Sequence, residues 1–259
     1  MYISLKNVYK DFYGLASVTD INLDIPDNEL VVLTGPAVSG KSVILRMIAG
    51  IEKVTSGGIY FNNELYNRVP LKKRNAAFIF KKNSYFKNKT LYENIALGLK
   101  LRKVNDREID KKVASAAEIL GLQDKLKEKQ KFLSDDVKQL ACIARAVIRN
   151  PDVLLVDEPF SELFNGKLIE KFLNLTKAFP LTCIYATENF GDVEYLNKKT
   201  AVLRSGIIQQ FDIFGNICNN PVNSFVENFI KRPKIWFLKG LSANQIRFKR
   251  ELWIKENKR

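Results

Sequence analysis

The eight residues GPAVSGKS, Gly35 to Ser42, constrain this chain more than any other stretch. They fit GxxxxGK[ST], a loop whose backbone N–H groups curl around phosphates while the next helix points its positive end at them. Such a loop needs a strand before it and a helix after it. Glu29 to Thr34, ELVVLT, is a short apolar run of the kind that forms a buried strand, and SVILRMIAG, from Ser42, has helical periodicity. The pattern assigns Gly35, Pro36, Ala37, Val38, Ser39, Gly40 and Val43 to a phosphate cradle. Lys41 would reach the β- and γ-phosphates, and the Ser42 hydroxyl would ligate Mg²⁺. Val38 is the irregular member, because a β-branched residue in mid-loop is costly wherever the backbone needs φ > 0.

A phosphate loop also needs a carboxylate from a neighbouring strand. VLLVDEP, from Val153, is an apolar strand ending in two acids. Asp157 can hold Mg²⁺ directly or through water, and Glu158 can orient and deprotonate a water. Residues 2–9 and 17–25 read as an edge strand pair, and GGIYFNN, AAFIF, LTCIYAT, TAVLRSG and IIQQFD as further strands. Residues 90 to 130 carry helical periodicity and many charges, and 135–149 read as one helix that Asn150-Pro151 stops. Strand–helix alternation with buried apolar strands argues for an α/β core sheet.

Composition removes several alternatives. The chain has 259 residues, enough for one large domain or a domain with a lobe. It contains no histidine, which excludes histidine bases and histidine metal ligands. Cys142, Cys183 and Cys218 form no CxxC pair, so a zinc site is not expected. No apolar run approaches the roughly 18 residues that cross a bilayer, and MYISLKNVYK lacks the apolar core of a signal peptide. The net charge of +14 favours polyanions. No RNP motif, zinc finger or aromatic-interleaved basic patch accompanies it, so nucleic acid is not the expected partner.

In order along the chain, these motifs resemble the ATPase subunits of ABC transporters, most closely the importer ATPases of the maltose and glycerol-phosphate type. The likeness covers about residues 2 to 236. It includes the phosphate loop, the VLLVDEP strand, LYENIALGLK at 91–100 and LSDDVKQLACIARA at 133–146, where Ser134 lies 23 residues before Asp157. The resemblance implies an α/β P-loop NTPase of the ABC-ATPase fold, with a mixed core sheet, an antiparallel β subdomain and a helical subdomain. It implies one ATPase domain over 1–236, a helical lobe at about 84–150 within it, and a short basic tail at 237–259 as the remnant of a regulatory domain. It implies ATP and Mg²⁺ as ligands, with Ser134 contacting nucleotide and Phe12 stacking on adenine. Tyr13 is the other candidate for that stacking position.

Four positions depart from the family pattern. LSDDV stands for LSGGQ, so Asp135 and Asp136 replace glycines whose amides approach the γ-phosphate. A like-charge pair at about 4 Å and effective ε of about 20 costs roughly 4 kcal/mol before screening. The same aspartates suit the N-terminus of their own helix. Lys81 stands for a glutamine, and a lysine can neither accept a hydrogen bond from water nor ligate Mg²⁺. Glu188 stands for the switch histidine, and Phe164 for an aspartate that couples two sites across a dimer. Since the family's glutamine and histidine both face the γ-phosphate, Lys81 and Glu188 are expected to form a compensating pair.

The resemblance implies a peripheral subunit on the cytoplasmic face of the membrane. It would bind transmembrane permease subunits, with a docking surface near Lys81 to Leu99, and would couple ATP to import of sugar or glycerol-phosphate type solutes. A homodimer would carry every departure twice, which favours a heterodimer with a second ABC ATPase. The alternative is an impaired ATPase serving as an ATP-binding or structural subunit of such a heterodimer.

Overall fold

The computed structural model describes residues 1–81, 85–159 and 166–231. Phe164 and the basic tail at 237–259 lie outside the described residues.

Chain entry is an antiparallel hairpin of β1 (Ile3–Phe12) and β2 (Leu15–Ile25). Its strands run further than the apolar pattern indicated. Tyr13 and Gly14 both adopt positive φ (54° and 81°), the pairing that a two-residue hairpin turn requires. Next come β3 (Leu30–Thr34) and helix α1 (Lys41–Ala49). Then β4 (Ser56–Phe61) pairs with β1, and the short β5 (Glu64–Leu65) pairs with β4. This closes a four-stranded sheet in the order β2-β1-β4-β5.

After β6 (Ala76–Ile79) comes the helical lobe: α2 (Leu91–Leu101), α3 (Asp106–Leu120) and α4 (Asp135–Val147). Local sequence explains its helix starts. Thr90 and Glu93 form a reciprocal capping box at α2, Asn105 caps α3, and Ser134 caps α4 by accepting from the Val137 amide. The chain returns to the sheet as β7 (Val153–Asp157), followed by α5 (Gly166–Lys177), β8 (Thr182–Thr187) and α6 (Phe190–Leu196). It continues with β9 (Lys199–Arg204), β10 (Ile207–Ile213), α7 (Phe214–Asn219) and α8 (Ser224–Ile230).

The central sheet has the order β10-β9-β3-β8-β7-β6. Its strands β9, β3, β8, β7 and β6 are mutually parallel, and β10 turns back antiparallel at one edge. Strands buried on both faces read as apolar throughout, and they divide their residues between two cores. Val31, Leu33, Val153 and Leu155 face α1 and the antiparallel sheet, while Val32, Leu154, Val156 and Tyr185 face the helical lobe with α5 and α6. The parallel strands therefore end along one edge. Their C-terminal residues (Thr34, Asp157, Thr187 and Ile79) lead directly into the segments the sequence singled out. Ligand sites of open α/β sheets lie at this edge.

Candidate functional site

The loop between β3 and α1 is a glycine-dependent turn. Gly35 has φ 147°, and a Cβ there would lie 2.2 Å from the Leu203 carbonyl oxygen. Gly40 has φ 98°, and a Cβ there would meet the Ser17 carbonyl at 3.0 Å. The hairpin and the β9–β10 turn thus press on the loop from behind. Val38 is forced to φ 61° and is 97% exposed. The cost foreseen for a branched residue is therefore present, with no packing of its side chain to offset it.

Lys41 is 3% exposed and folds back over its own loop. Its Nζ donates to Gly35 O (3.0 Å), Pro36 O (2.8 Å) and Ser39 Oγ (3.3 Å), and it pairs with Glu188 Oε1 at 3.5 Å. Burial lowers its pKa, and the nearby Glu188 and Glu158 carboxylates oppose that shift. Ser42 Oγ donates to Asp157 Oδ1 at 2.7 Å. Asp157 is buried, and desolvation raises its pKa against the pull of that hydrogen bond. Ser42 and Asp157 offer hard oxygen donors, and no group of three or more Cys, Asp or Glu among the described residues forms a closed metal cage. That donor set suits Mg²⁺, which binds through one or two protein oxygens plus water and substrate phosphate.

The expected Lys81–Glu188 pair is replaced by two different pairs. Lys81 makes its ion pair with Glu158, and Glu188 makes its ion pair with Lys41. The Glu158 hydrogen bond is the main reason the Lys81 pKa is raised. Strand order explains the exchange. Lys81 follows β6 and Glu158 follows β7, which are neighbours; Lys41 follows β3 and Glu188 follows β8, which are also neighbours. Lys81 and Glu188 are separated by the intervening β7. Glu158 itself sits at φ 45°, a left-handed conformation that is strained for a glutamate, with its amide bonded to Ala186 O.

Beneath Glu188 lies a residue that sequence reading missed. Asp192 is 2% exposed, and its Oδ2 accepts from Tyr185 Oη (3.0 Å) and Thr187 Oγ1 (3.1 Å). Burial pushes its pKa up to about 6. Thr187 Oγ1 also accepts from the Asn189 amide, so this network holds the turn carrying Glu188. An aspartate in the first turn of a short helix reads as a solvated dipole partner, and no local signal marks it as buried.

The remaining expected residues lie apart from this cluster. Ser134, Asp135 and Asp136 form the cap and first turn of α4, where Asp135 pairs with Lys138 at 2.9 Å. Phe12 stands at the hairpin tip, 36% exposed, with the Lys10 ammonium 4.5 Å from its ring centroid, and Tyr13 points fully outward.

Fold and loop together define a P-loop NTPase. The family model described as "ABC transporter" matches residues 18–161. Similar curated proteins include an uncharacterized ABC transporter ATP-binding protein of Bacillus subtilis, 35% identical over 94% of this chain and 67% of its own length. They also include an oligosaccharide import ATP-binding protein of the same organism (36% identical, 92% of this chain and 66% of its own). A third is a trehalose/maltose import ATP-binding protein of Thermococcus litoralis (34% identical, 92% and 67%). The chain thus spans about two thirds of the length of these relatives. Among solved structures, a dimeric ATP-binding cassette with ADP and Pi matches with a TM-score of 0.71 at 25% identity, over 82% of this chain and 98% of that one. The chain belongs to the ABC transporter ATP-binding family and carries its ATP-binding domain.

Proposed function

We propose that this chain is the ATP-binding subunit of a membrane importer, with slow intrinsic turnover. The convergence of Lys41, Ser42 and Asp157 at one sheet edge, with Ser42 and Asp157 2.7 Å apart, carries the reading. In that role the cradle Gly35–Val43 binds the phosphates of ATP, and Ser42 and Asp157 hold Mg²⁺, which would neutralise phosphate charge. Glu158 is the group that would orient and deprotonate the attacking water. Its engagement by Lys81 is the reason to expect slow turnover, because a base held in an ion pair is not free to take a proton. Phe12 is the side chain proposed to meet the adenine.

Relatives named for oligosaccharide and for trehalose/maltose import support a carbohydrate-type solute for the transporter this chain would serve. Permease docking is supported by a cavity of about 240 Å³ beside the segment expected from sequence. Phe80, Phe86 and Leu101 are exposed there, and Arg145 and Arg149 line it with no carboxylate among the lining residues. It suits an apolar permease loop bearing an acid. No helix among the described residues is long and apolar enough to cross a membrane. The permease-bound role proposed for the chain carries with it a peripheral location at the cytoplasmic face. Asp135 and Asp136 would face the nucleotide of a second ATPase, and the proposed assembly is a heterodimer in which the partner supplies intact glycines. Residues 1–236 form the ATPase domain in this reading, with 237–259 as an appended tail.

The test is Mg-ATP hydrolysis by the purified chain against Glu158→Gln and Lys81→Gln. Low turnover that Glu158→Gln abolishes and Lys81→Gln raises supports the assignment. The same background rate in all three would leave the chain a nucleotide-binding subunit only, and failure to bind ATP would refute the reading.

A further inference from the structure

The ion pair between Lys41 and Glu188 bears on which nucleotide this site holds. We propose that Glu188 is a specificity-determining residue that makes the site favour a nucleoside diphosphate over the corresponding triphosphate. The inference rests on the nucleotide-binding reading above and goes beyond it.

A P-loop lysine bridges the β- and γ-phosphates, so whatever lies beside its ammonium lies beside the third phosphate. Here that neighbour is an anion, 3.5 Å from Nζ. Two ammonium groups, Lys41 and Lys81, and three carboxylates, Asp157, Glu158 and Glu188, meet at this edge. The other two carboxylates have partners that a nucleotide need not take: Glu158 has Lys81, and Asp157 has the Ser42 hydroxyl. Glu188 alone shares its cation with the phosphates. A β-phosphate can replace one of the loop oxygens on Lys41, alongside the cradle amides, while the Glu188 pair persists. A γ-phosphate must displace Glu188 from Lys41 and then remain next to it as a like charge. Lys41 bonds three further acceptors on its own loop, so moving its ammonium away from Glu188 would give up those bonds as well. Glu188 is partly exposed, and screening reduces the Coulomb term to a discrimination of about tenfold.

The experiment is calorimetric titration of the full chain with Mg-ADP and with the Mg complex of a non-hydrolysable β,γ-imido triphosphate. The wild type should bind the diphosphate about tenfold more tightly. Glu188→Gln removes the charge at constant shape and should bring the two affinities within about twofold, whereas Glu188→Asp should keep the gap. Unchanged melting temperatures would show that both variants fold, as the exposure of this side chain leads one to expect. Equal affinities in the wild type, or a gap that survives Glu188→Gln, would overturn the inference while leaving the nucleotide reading intact. Binding of neither nucleotide would overturn both.

Discussion

Asp192→Asn should stabilise this protein at neutral pH, and the gain should shrink in acid. Asp192 carries a carboxylate whose Oδ1 has no hydrogen-bond partner, in a site 2% open to solvent. Desolvation is the main cause of its pKa rising from 3.8 to about 6, with nearby Glu158 adding to it and the Tyr185 and Thr187 hydrogen bonds opposing. Between those values the folded protein holds a proton that the unfolded chain releases. Stability therefore falls as pH rises through this window, and above about pH 6 the fold carries a buried charge. Two pKa units correspond to about 3 kcal/mol, of which about 2 kcal/mol falls between pH 4.5 and 7.5. Asparagine keeps an acceptor for Tyr185 and Thr187 but puts an amide where Oδ1 lacks a partner, which returns about 1 kcal/mol. The assay is urea unfolding of both proteins at the two pH values. Taking the difference between proteins at each pH cancels titrations they share. The variant's advantage should grow by about 2 kcal/mol from pH 4.5 to 7.5. A pH-independent difference, or one growing toward acid, would refute the buried-charge argument.

Val38→Gly should raise stability by about 1 kcal/mol, because it removes a branched side chain held at φ 61° with nothing packed around it. Thermal unfolding reads this, and nucleotide affinity should improve or hold. Phe172→Ala empties a fully buried position against Tyr185, whose ring centroid is 5.5 Å away, and should cost about 3–5 kcal/mol in denaturant unfolding. A cost below about 1 kcal/mol would mean that the core beneath β8 collapses around the gap.

Much of the fold was legible because its signals are local. ELVVLT, VLLVDEP and LTCIYAT are short apolar runs, and each is a buried parallel strand. Gly35 and Gly40 marked the loop because a Cβ at either would strike backbone, and Val38 could be flagged because positive φ is a property of one residue's own geometry. The stop at Asn150 was equally visible, whereas the cap that Ser134 supplies to α4 emerged only in the structure. The strand pair read at 2–9 and 17–25 stops short of the turn on both sides, since Tyr13-Gly14 reads as an aromatic site before it reads as a turn.

Sequence alone determined which chemistry-bearing residues this protein has: a phosphate loop, two acids after an apolar strand, and Lys81 and Glu188 at irregular positions. Only the tertiary structure decided which of them meet. Strand order is not chain order, and it seats β8 between β3 and β7, and β7 between β8 and β6. Adjacent parallel strands lie about 4.8 Å apart, within reach of an ion pair between residues at their ends, while strands separated by a third lie about twice that distance apart. Hence Lys81 takes Glu158 and Glu188 takes Lys41, a result of sheet topology that no residue's neighbours in sequence encode.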